Sequence, residues 1–469
     1  MGATIEWQSG DLGAAFKLAA SSGRPLFLYW GAGWCPPCNR VKADIFGQPV
    51  FAQRMRSLLP FWLDGDAEGA QALAAQYKLR AYPTLVLYAP DGRELTRLPS
   101  ELDGELFIEA LDLALAATHT AAESLQAALQ AGQAGARPLE PAEWSLLSLY
   151  SWDTDEGKLL PAAELPAVLA RLAQACPAGD ACARLHLHAQ VAAAGRIDTG
   201  AAGGNAAASA AQAAAAIAAA ADRLLAVFGD AKLARANMDI LVNNGFNLVK
   251  WSGARQTELV QALDQAARRF ATDTWLPLAD RLIAVRLRMR LTRIGAPAAG
   301  IAELVRETVA VALAEVQEPS ARHALVNTAA SALNEAGLAD EADALLLAEL
   351  GASHAPYYFM LSLAAAARRR GDIPGTLGWY EKAWQASAGS ATRLQWGTTY
   401  LVSVIDLTPE DQPRIEAAAQ AMAQEIAATA DAYQQRNRNQ LQRLAGKLAM
   451  LTVPGPHAGA LLRGLNANL

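Results

Sequence analysis

Two cysteines separated by two residues, Trp34-Cys35-Pro36-Pro37-Cys38, stand just behind an apolar run, Pro25-Leu26-Phe27-Leu28-Tyr29-Trp30. No other feature constrains the chain as much. A nearly continuous apolar run of this length reads as a strand covered on both faces. Gly31-Ala32-Gly33 then supplies a tight turn, and Asn39-Arg40-Val41-Lys42 continues as a helix. Two residues between cysteines on a first helical turn bring the sulfurs within bonding range. The free N–H groups and partial positive charge of a helix N-terminus favour thiolate over thiol. Cys35 is therefore expected as the exposed attacking sulfur. Cys38, about one turn further in, is expected to be shielded and to resolve a mixed disulfide. Pro37 is harmless, because first-turn N–H groups have no intrahelical partner. No second Cys-x-x-Cys and no Cys/His pair follows at zinc-finger spacing, which argues against a metal.

Downstream, Leu79-Arg80-Ala81-Tyr82-Pro83-Thr84 leads into the strand Leu85-Val86-Leu87-Tyr88, with Asp91-Gly92 as a hairpin turn after it. Together with the paired cysteines, this pattern resembles the thioredoxin fold. The resemblance covers residues 4–117 and takes in Trp7, the helix Leu12–Ala20, Ile45-Phe46 and Pro49-Val50. In that last feature it is similar to the thioredoxin-like domains of bacterial envelope thiol:disulfide oxidoreductases, including the C-terminal domain of the membrane electron transporter DsbD. The order β-α-β-α-β-α-β-β-α follows, with an opening strand near Trp7 and helical segments over Val41–Arg56, Glu68–Tyr77 and Glu105–Ala117. The resemblance implies a cis bond before Pro83, a rare feature that needs such a reason. It also implies that the Tyr82 backbone pairs with an extended substrate peptide and that Trp34 adds apolar contact beside the sulfurs. One position departs from the family. Thioredoxin has a buried aspartate six residues before the first cysteine, which helps move protons; here that residue is Tyr29. Asp64 ends a later strand and reads as a loop or cap residue, so the proton relay is not carried over.

The chain has 469 residues, enough for two to four domains. Formal net charge is −6 and the basic residues are scattered, which leaves no nucleic-acid footprint. After His119 no convincing strand recurs. The expected division is a thioredoxin-like domain at residues 1–118, a joining helical segment at 119–200 and a helical domain at 201–469. Ala131–Pro141 reads as a linker and Asp198–Asn205 as a glycine-rich break. Ala206–Ala221 is nearly all alanine; it is too short and too weakly apolar for a membrane span and reads as a helix. Asp153-Thr154-Asp155-Glu156-Gly157 lacks the EF-hand spacing and reads as a solvated acidic turn. Arg368-Arg369-Arg370 reads as a helix end complementing the dipole. Met1–Thr4 runs almost directly into the first domain, as it would had a secretion leader been removed and a methionine supplied.

Toward the end, Gly337 and Gly371 lie in similar surroundings 34 residues apart, the tetratricopeptide period. Thr376, Tyr380 and Ala383 follow at the spacing of that repeat, Pro356 falls where a unit often ends, and Arg393–Ile405 with Pro413–Ala427 reads as a degenerate third unit. The expected fold is therefore an α/β thioredoxin fold followed by an all-α, tetratricopeptide-like helical-repeat domain. Trp379, Tyr380, Trp384 and Trp396 line a concave surface or pack between helices, the second being the ordinary role of aromatics at helical spacing.

Cys176 and Cys182 flank a Pro-Gly turn between helices, where a disulfide would clip a helical hairpin and imply an oxidising compartment. Two reduced buried cysteines, a metal site with His186 and His188, and a second redox pair are the alternatives. His119, His323, His354 and His457 are isolated and read as surface or cap residues. The expected activity is that of a protein-disulfide reductase or isomerase. Cys35 and Cys38 are its catalytic pair, Trp34, Tyr82 and Pro83 hold the substrate, and no cofactor is implied. Proline before the second cysteine resembles thioredoxin more than strong oxidants. Protein disulfides are the expected substrates, a membrane protein of the DsbD type the electron donor, and the periplasm the compartment, with the cytoplasm as alternative. The rival reading is a holdase or scaffold similar to the chaperedoxins, in which the thioredoxin fold is an accessory binding module. The intact cysteine pair weighs against it.

Overall fold

The computed structural model describes residues 5–131, 137–198 and 206–469. Met1–Thr4, most of the glycine-rich break and the middle of the expected linker lie outside them. Four strands form one sheet: β1 Leu26–Gly31, β2 Leu59–Asp64, β3 Thr84–Tyr88 and β4 Glu94–Leu98, in the order β2-β1-β3-β4. The apolar run accounts for the central position of β1, which is buried along its whole length. Leu59 N donates to Pro25 O and Gly65 N to Gly31 O, both at 2.9 Å. Six residues separate the two bonds on either strand, so β1 and β2 run parallel. β3 and β4 are antiparallel, with Leu85 opposite Leu98 and Leu87 opposite Thr96. Five helices accompany the strands: α1 Leu12–Ser22, α2 Pro36–Val41, α3 Pro49–Met55, α4 Ala70–Tyr77 and α5 Gly104–Ala116. Asp11 and Asp103 cap α1 and α5 by accepting two backbone N–H groups each.

The opening strand is not formed among the described residues. Gln8 makes a single parallel bridge to Phe61, its N–H donating to Pro60 O at 2.9 Å. Trp7 is drawn instead against Phe46 and Phe27, with ring centroids 5.0 and 6.2 Å away. The helix after the cysteines also differs from a continuous run. It ends at Val41, gives way to a π turn over Lys42–Phe46, and restarts where Pro49 takes the first position of α3. That break delivers Phe46 onto Phe51, which meets Phe27 and Phe107 at 5.6 and 6.0 Å. Burying a phenylalanine contributes on the order of 2 kcal/mol.

The chain divides into two compact units, Met1–Leu28 with Arg40–Phe61 and Leu85–Leu338, and Tyr29–Asn39 with Trp62–Thr84 and Ala339–Leu469. In the first, helices after residue 120 bury two apolar clusters, one around Trp144, Tyr150, Trp152 and Leu172, the other around Phe228, Leu241, Leu263 and Phe270. The acidic turn is not simply solvated. Asp155 is buried and accepts from the Tyr150 hydroxyl at 2.7 Å and from Leu159 N at 2.9 Å. Arg97, also buried, pairs with Glu94 and donates to the Thr154 and Asp155 carbonyls. A carboxylate in that turn is thus a structural acceptor under β4.

Cys176 and Cys182 are joined by a disulfide between the helices Leu165–Ala175 and Asp180–Asp198, with Cα atoms 5.5 Å apart. Its loop is short. Replacing both residues with serine is expected to lower stability by roughly 2 kcal/mol, the loop-closure entropy of so short a ring. Denaturant titration checks this, the midpoint falling with no change in slope.

In the second unit, Pro356–Arg369 packs on Ile373–Ala386, with Gly371 in the left-handed region (φ 76°) at the turn between them. Gly337 shares that conformation (φ 82°). The helices Ser390–Leu407 and Gln412–Ala427 follow, then two more, Gln435–Leu448 and Pro456–Asn468, that the repeat pattern does not reveal. Trp384 and Trp396 are buried, whereas Trp379 is half-buried beneath the Lys382 ammonium, 4.5 Å from its ring. Among the described residues no single helix is long and apolar enough to cross a membrane. The bent pair Ala210–Ala219 and Ala221–Gly229 meets the length and composition only jointly, across a 51° break.

Candidate functional site

The second unit gathers Trp34, Cys35, Cys38, Tyr82 and Pro83. After β1 the chain turns at Ala32–Trp34, and Cys35 N donates to Ala32 O at 3.3 Å. Asn39, buried in the first turn of α2, fastens this loop. Its amide donates to Gly33 O at 2.8 Å and Cys35 O at 3.1 Å. Cys38 N points at Cys35 Sγ, 3.3 Å away, and the two cysteines are not joined by a disulfide.

The expected exposure of Cys35 is not met. The residue is 3% exposed, and Cys38 0%. Burial pushes the Cys35 thiol well above its ordinary pKa, the neighbouring Cys38 adds to the rise, and the Cys38 N–H and the Arg436 charge only partly oppose it. In this conformation desolvation outweighs the helix terminus. The cover is aromatic. Trp34 stacks on Tyr358 (5.8 Å, 22° between planes) and meets the rings of Trp396 at 5.4 Å and Tyr82 at 5.9 Å. His354, far from isolated, sets Nε2 3.0 Å from Gly33 O.

The Tyr82–Pro83 bond is cis, and Pro83 is buried. Gln71 fixes Tyr82 by donating to its hydroxyl at 3.1 Å and to Gly65 O at 2.9 Å. The backbone leading to the proline is engaged by the helical part of the unit. Gln435 Nε2 donates to Leu79 O and Arg436 Nη1 to Arg80 O, both at 3.1 Å. The Arg436 guanidinium lies 4.2 Å above the Tyr82 ring. Asp431 accepts from Gln71 N at 2.8 Å. Asp66, just past β2, accepts from both the N–H and the hydroxyl of Thr392 at 2.7 Å. Gly389 (φ 88°) opens that helix, and a Cβ there would overlap the Asp66 carboxylate. Sequence reading took His354 for an isolated surface or cap residue and did not find Tyr358, Asp431 or Arg436, none of which stands in a motif. It noticed Trp396 only as a surface or core aromatic.

Tyr29, the residue in place of the family aspartate, lies beneath the cysteines. Its ring stacks on Trp62 at 6.4 Å, and burial pushes its pKa well above the ordinary value, with the cysteines adding to the rise. The disulfide Cys176–Cys182 belongs to the first unit. His188, one of the histidines weighed there as a metal ligand, is half-buried, and desolvation holds its pKa down at about 3. Among the described residues no group of His, Cys, Asp or Glu is arranged to hold a metal.

The sheet order, the cis proline and the paired cysteines at the start of α2 define a thioredoxin-like domain, and residues 12–115 match the family model of that description. Over 114 residues the chain is 29% identical to thiol:disulfide interchange protein DsbD 1 of Pseudomonas aeruginosa, a match covering 23% of this chain and 19% of that protein. It is 27% identical over 103 residues to DsbD of Pseudomonas fluorescens, covering 21% and 18%. The chain thus spans about a fifth of the length of these curated relatives. A solved structure titled DsbH oxidoreductase is 22% identical, with 24% of this chain and 87% of that chain covered and a TM-score of 0.22.

Proposed function

We propose that this protein is a thiol–disulfide oxidoreductase that reduces or isomerises disulfides in protein substrates. The observation that carries this reading is the dithiol Cys35–Cys38 pair, with Cys38 N–H directed at Cys35 Sγ beside a cis Tyr82–Pro83 bond. Cys35 thiolate attacks a substrate disulfide, forming a Cys35–substrate bond and expelling the first substrate sulfur as thiolate. Cys38 then attacks Cys35 Sγ, closing the Cys35–Cys38 disulfide and releasing the second. Two electrons pass to the substrate, and a dithiol donor must return them. Trp34, Tyr82 and Pro83 frame the substrate once the aromatic cover lifts. The helical part, tetratricopeptide-like in its glycine spacing, is the surface for substrate or partner. The likeness to DsbD supports a membrane donor of that type, and the Cys176–Cys182 disulfide supports the periplasm.

The deep burial of Cys35 favours a second reading, in which the thioredoxin-like domain is an accessory to a holdase. Equilibration with glutathione mixtures, followed by thiol trapping and mass analysis of each cysteine pair, tests the first. Cys35/Cys38 is expected to titrate reversibly near thioredoxin, at about −270 mV. A pair that stays reduced across the series rejects oxidoreductase function.

A further inference from the structure

The spacer between the cysteines removes donors that a helix start would otherwise offer. Pro36 and Pro37 carry no N–H, so of the three residues after Cys35 only Cys38 can present one to its sulfur. That N–H lies 3.3 Å from Cys35 Sγ. The turn is closed by Asn39 N–H, which donates to Cys35 O at 3.0 Å. Asn39 also reaches back with its side chain, donating to Cys35 O at 3.1 Å and to Gly33 O at 2.8 Å. The residue is 1% exposed. A buried amide is costly unless it is hydrogen-bonded, and both of these bonds go to the segment that carries the nucleophile.

We propose that Asn39 is a positioning residue for the nucleophile: its amide clamps the Gly33 and Cys35 carbonyls, so that the one N–H left by the two prolines stays aimed at Cys35 Sγ. The inference rests on the oxidoreductase reading. A hydrogen bond to a charged sulfur is among the stronger kinds, and it weakens steeply when its angle is lost. Burial is the largest cause of the raised Cys35 pKa, and the Cys38 N–H is the larger of the two influences named against it. Holding that N–H in line is therefore what Asn39 contributes to the attacking thiolate. The clamp can be removed without orphaning either carbonyl. Gly33 O keeps His354 Nε2 at 3.0 Å, and Cys35 O keeps the Asn39 N–H. The ionisable groups that act on Cys35, namely Cys38, Tyr29, Tyr358 and Arg436, all stay in place when residue 39 is changed.

The test follows iodoacetamide alkylation of Cys35 against pH in the reduced full chain, read by peptide mass. The plateau reports access to the sulfur and the midpoint reports its ionisation. In Asn39→Ala the midpoint is expected to rise by about one pH unit, a tenfold loss of thiolate stabilisation. Reduction of a protein disulfide at neutral pH should slow about threefold, since the more basic sulfur is the better nucleophile and recovers part of that tenfold. Asn39→Ser, whose hydroxyl reaches the carbonyl four residues back and so keeps the bond to Cys35 O, should shift the midpoint upward by less. A merely structural role has the opposite sign, because a loosened loop exposes the sulfur, lifts the plateau and lowers the midpoint. Thermal melts identify an alanine variant that has lost its fold, and the serine variant then decides. A midpoint at or below the native one in the folded variant overturns the role of Asn39. A native chain that never closes the Cys35–Cys38 disulfide in glutathione mixtures overturns the oxidoreductase reading instead, while the alkylation midpoint, which needs only the thiol, still reads the clamp.

Discussion

Iodoacetamide is expected to alkylate Cys35 about tenfold to a hundredfold faster in a Tyr358→Ala/Arg436→Ala variant than in the native chain. The sulfur is 3% exposed, so reagent reaches it only when the cover opens locally. Tyr358 closes the cover by stacking on Trp34. Arg436 closes it by lying over Tyr82 and donating to Arg80 O. An aromatic pair contributes about 0.5–1.5 kcal/mol, and a guanidinium over a ring about 0.5–1 kcal/mol. With about 1 kcal/mol for the hydrogen bond, the closed state loses about 2–3.5 kcal/mol at most, and each 1.4 kcal/mol is tenfold. The pH profile should move too, with a definite sign. Burial is the largest cause of the raised Cys35 pKa and the Arg436 charge, which lowers it, the smallest of those named, so opening outweighs the lost charge and the alkylation limb of the variant should shift to lower pH. Peptide mapping of the alkylated protein reads both effects. Equal rates in the two proteins would mean that the native site already opens freely.

The second large effect concerns the cysteines themselves. Cys35→Ser should lower reduction of a protein disulfide by a thousandfold or more, on the order of what removal of a nucleophile costs other enzymes. Cys38→Ser should leave the first attack intact but stop resolution. Substrate would then accumulate as a covalent adduct on Cys35, visible on a non-reducing gel and released by dithiothreitol. Suppression of client aggregation by Cys35→Ser, measured alongside, separates the readings, since a holdase keeps that property without its nucleophile. An adduct on Cys38 instead of Cys35 would reverse the assigned order of attack.

The thioredoxin-like domain was legible where local pattern determines structure. The run Pro25–Trp30 becomes the buried strand β1, and the paired cysteines fall at the start of α2. The opening strand was misread because Trp7 finds more apolar contact as an aromatic wedge than as a ladder partner. The state of Cys35 could not be read locally at all. A helix terminus argues for an exposed thiolate, but the groups that bury it lie more than three hundred residues along the chain, His354 against Gly33 and Tyr358 against Trp34. No periodicity encodes such pairs. Arg436 illustrates the same limit. It sits in a strongly polar helix whose apolar stripe, Leu441, Leu444 and Leu448, is visible in sequence, while its place over Tyr82 is not.

Gly389 has a wider consequence. The helix carrying Trp396 can approach Asp66 only because residue 389 has no side chain. One methyl group at that position would act as a wedge between them. A single codon change far from either cysteine would therefore loosen one fastening of the helix that brings Trp396 to the site, leaving every reacting atom as it was. How sheltered this protein keeps its sulfur is open to adjustment separately from how reactive that sulfur is.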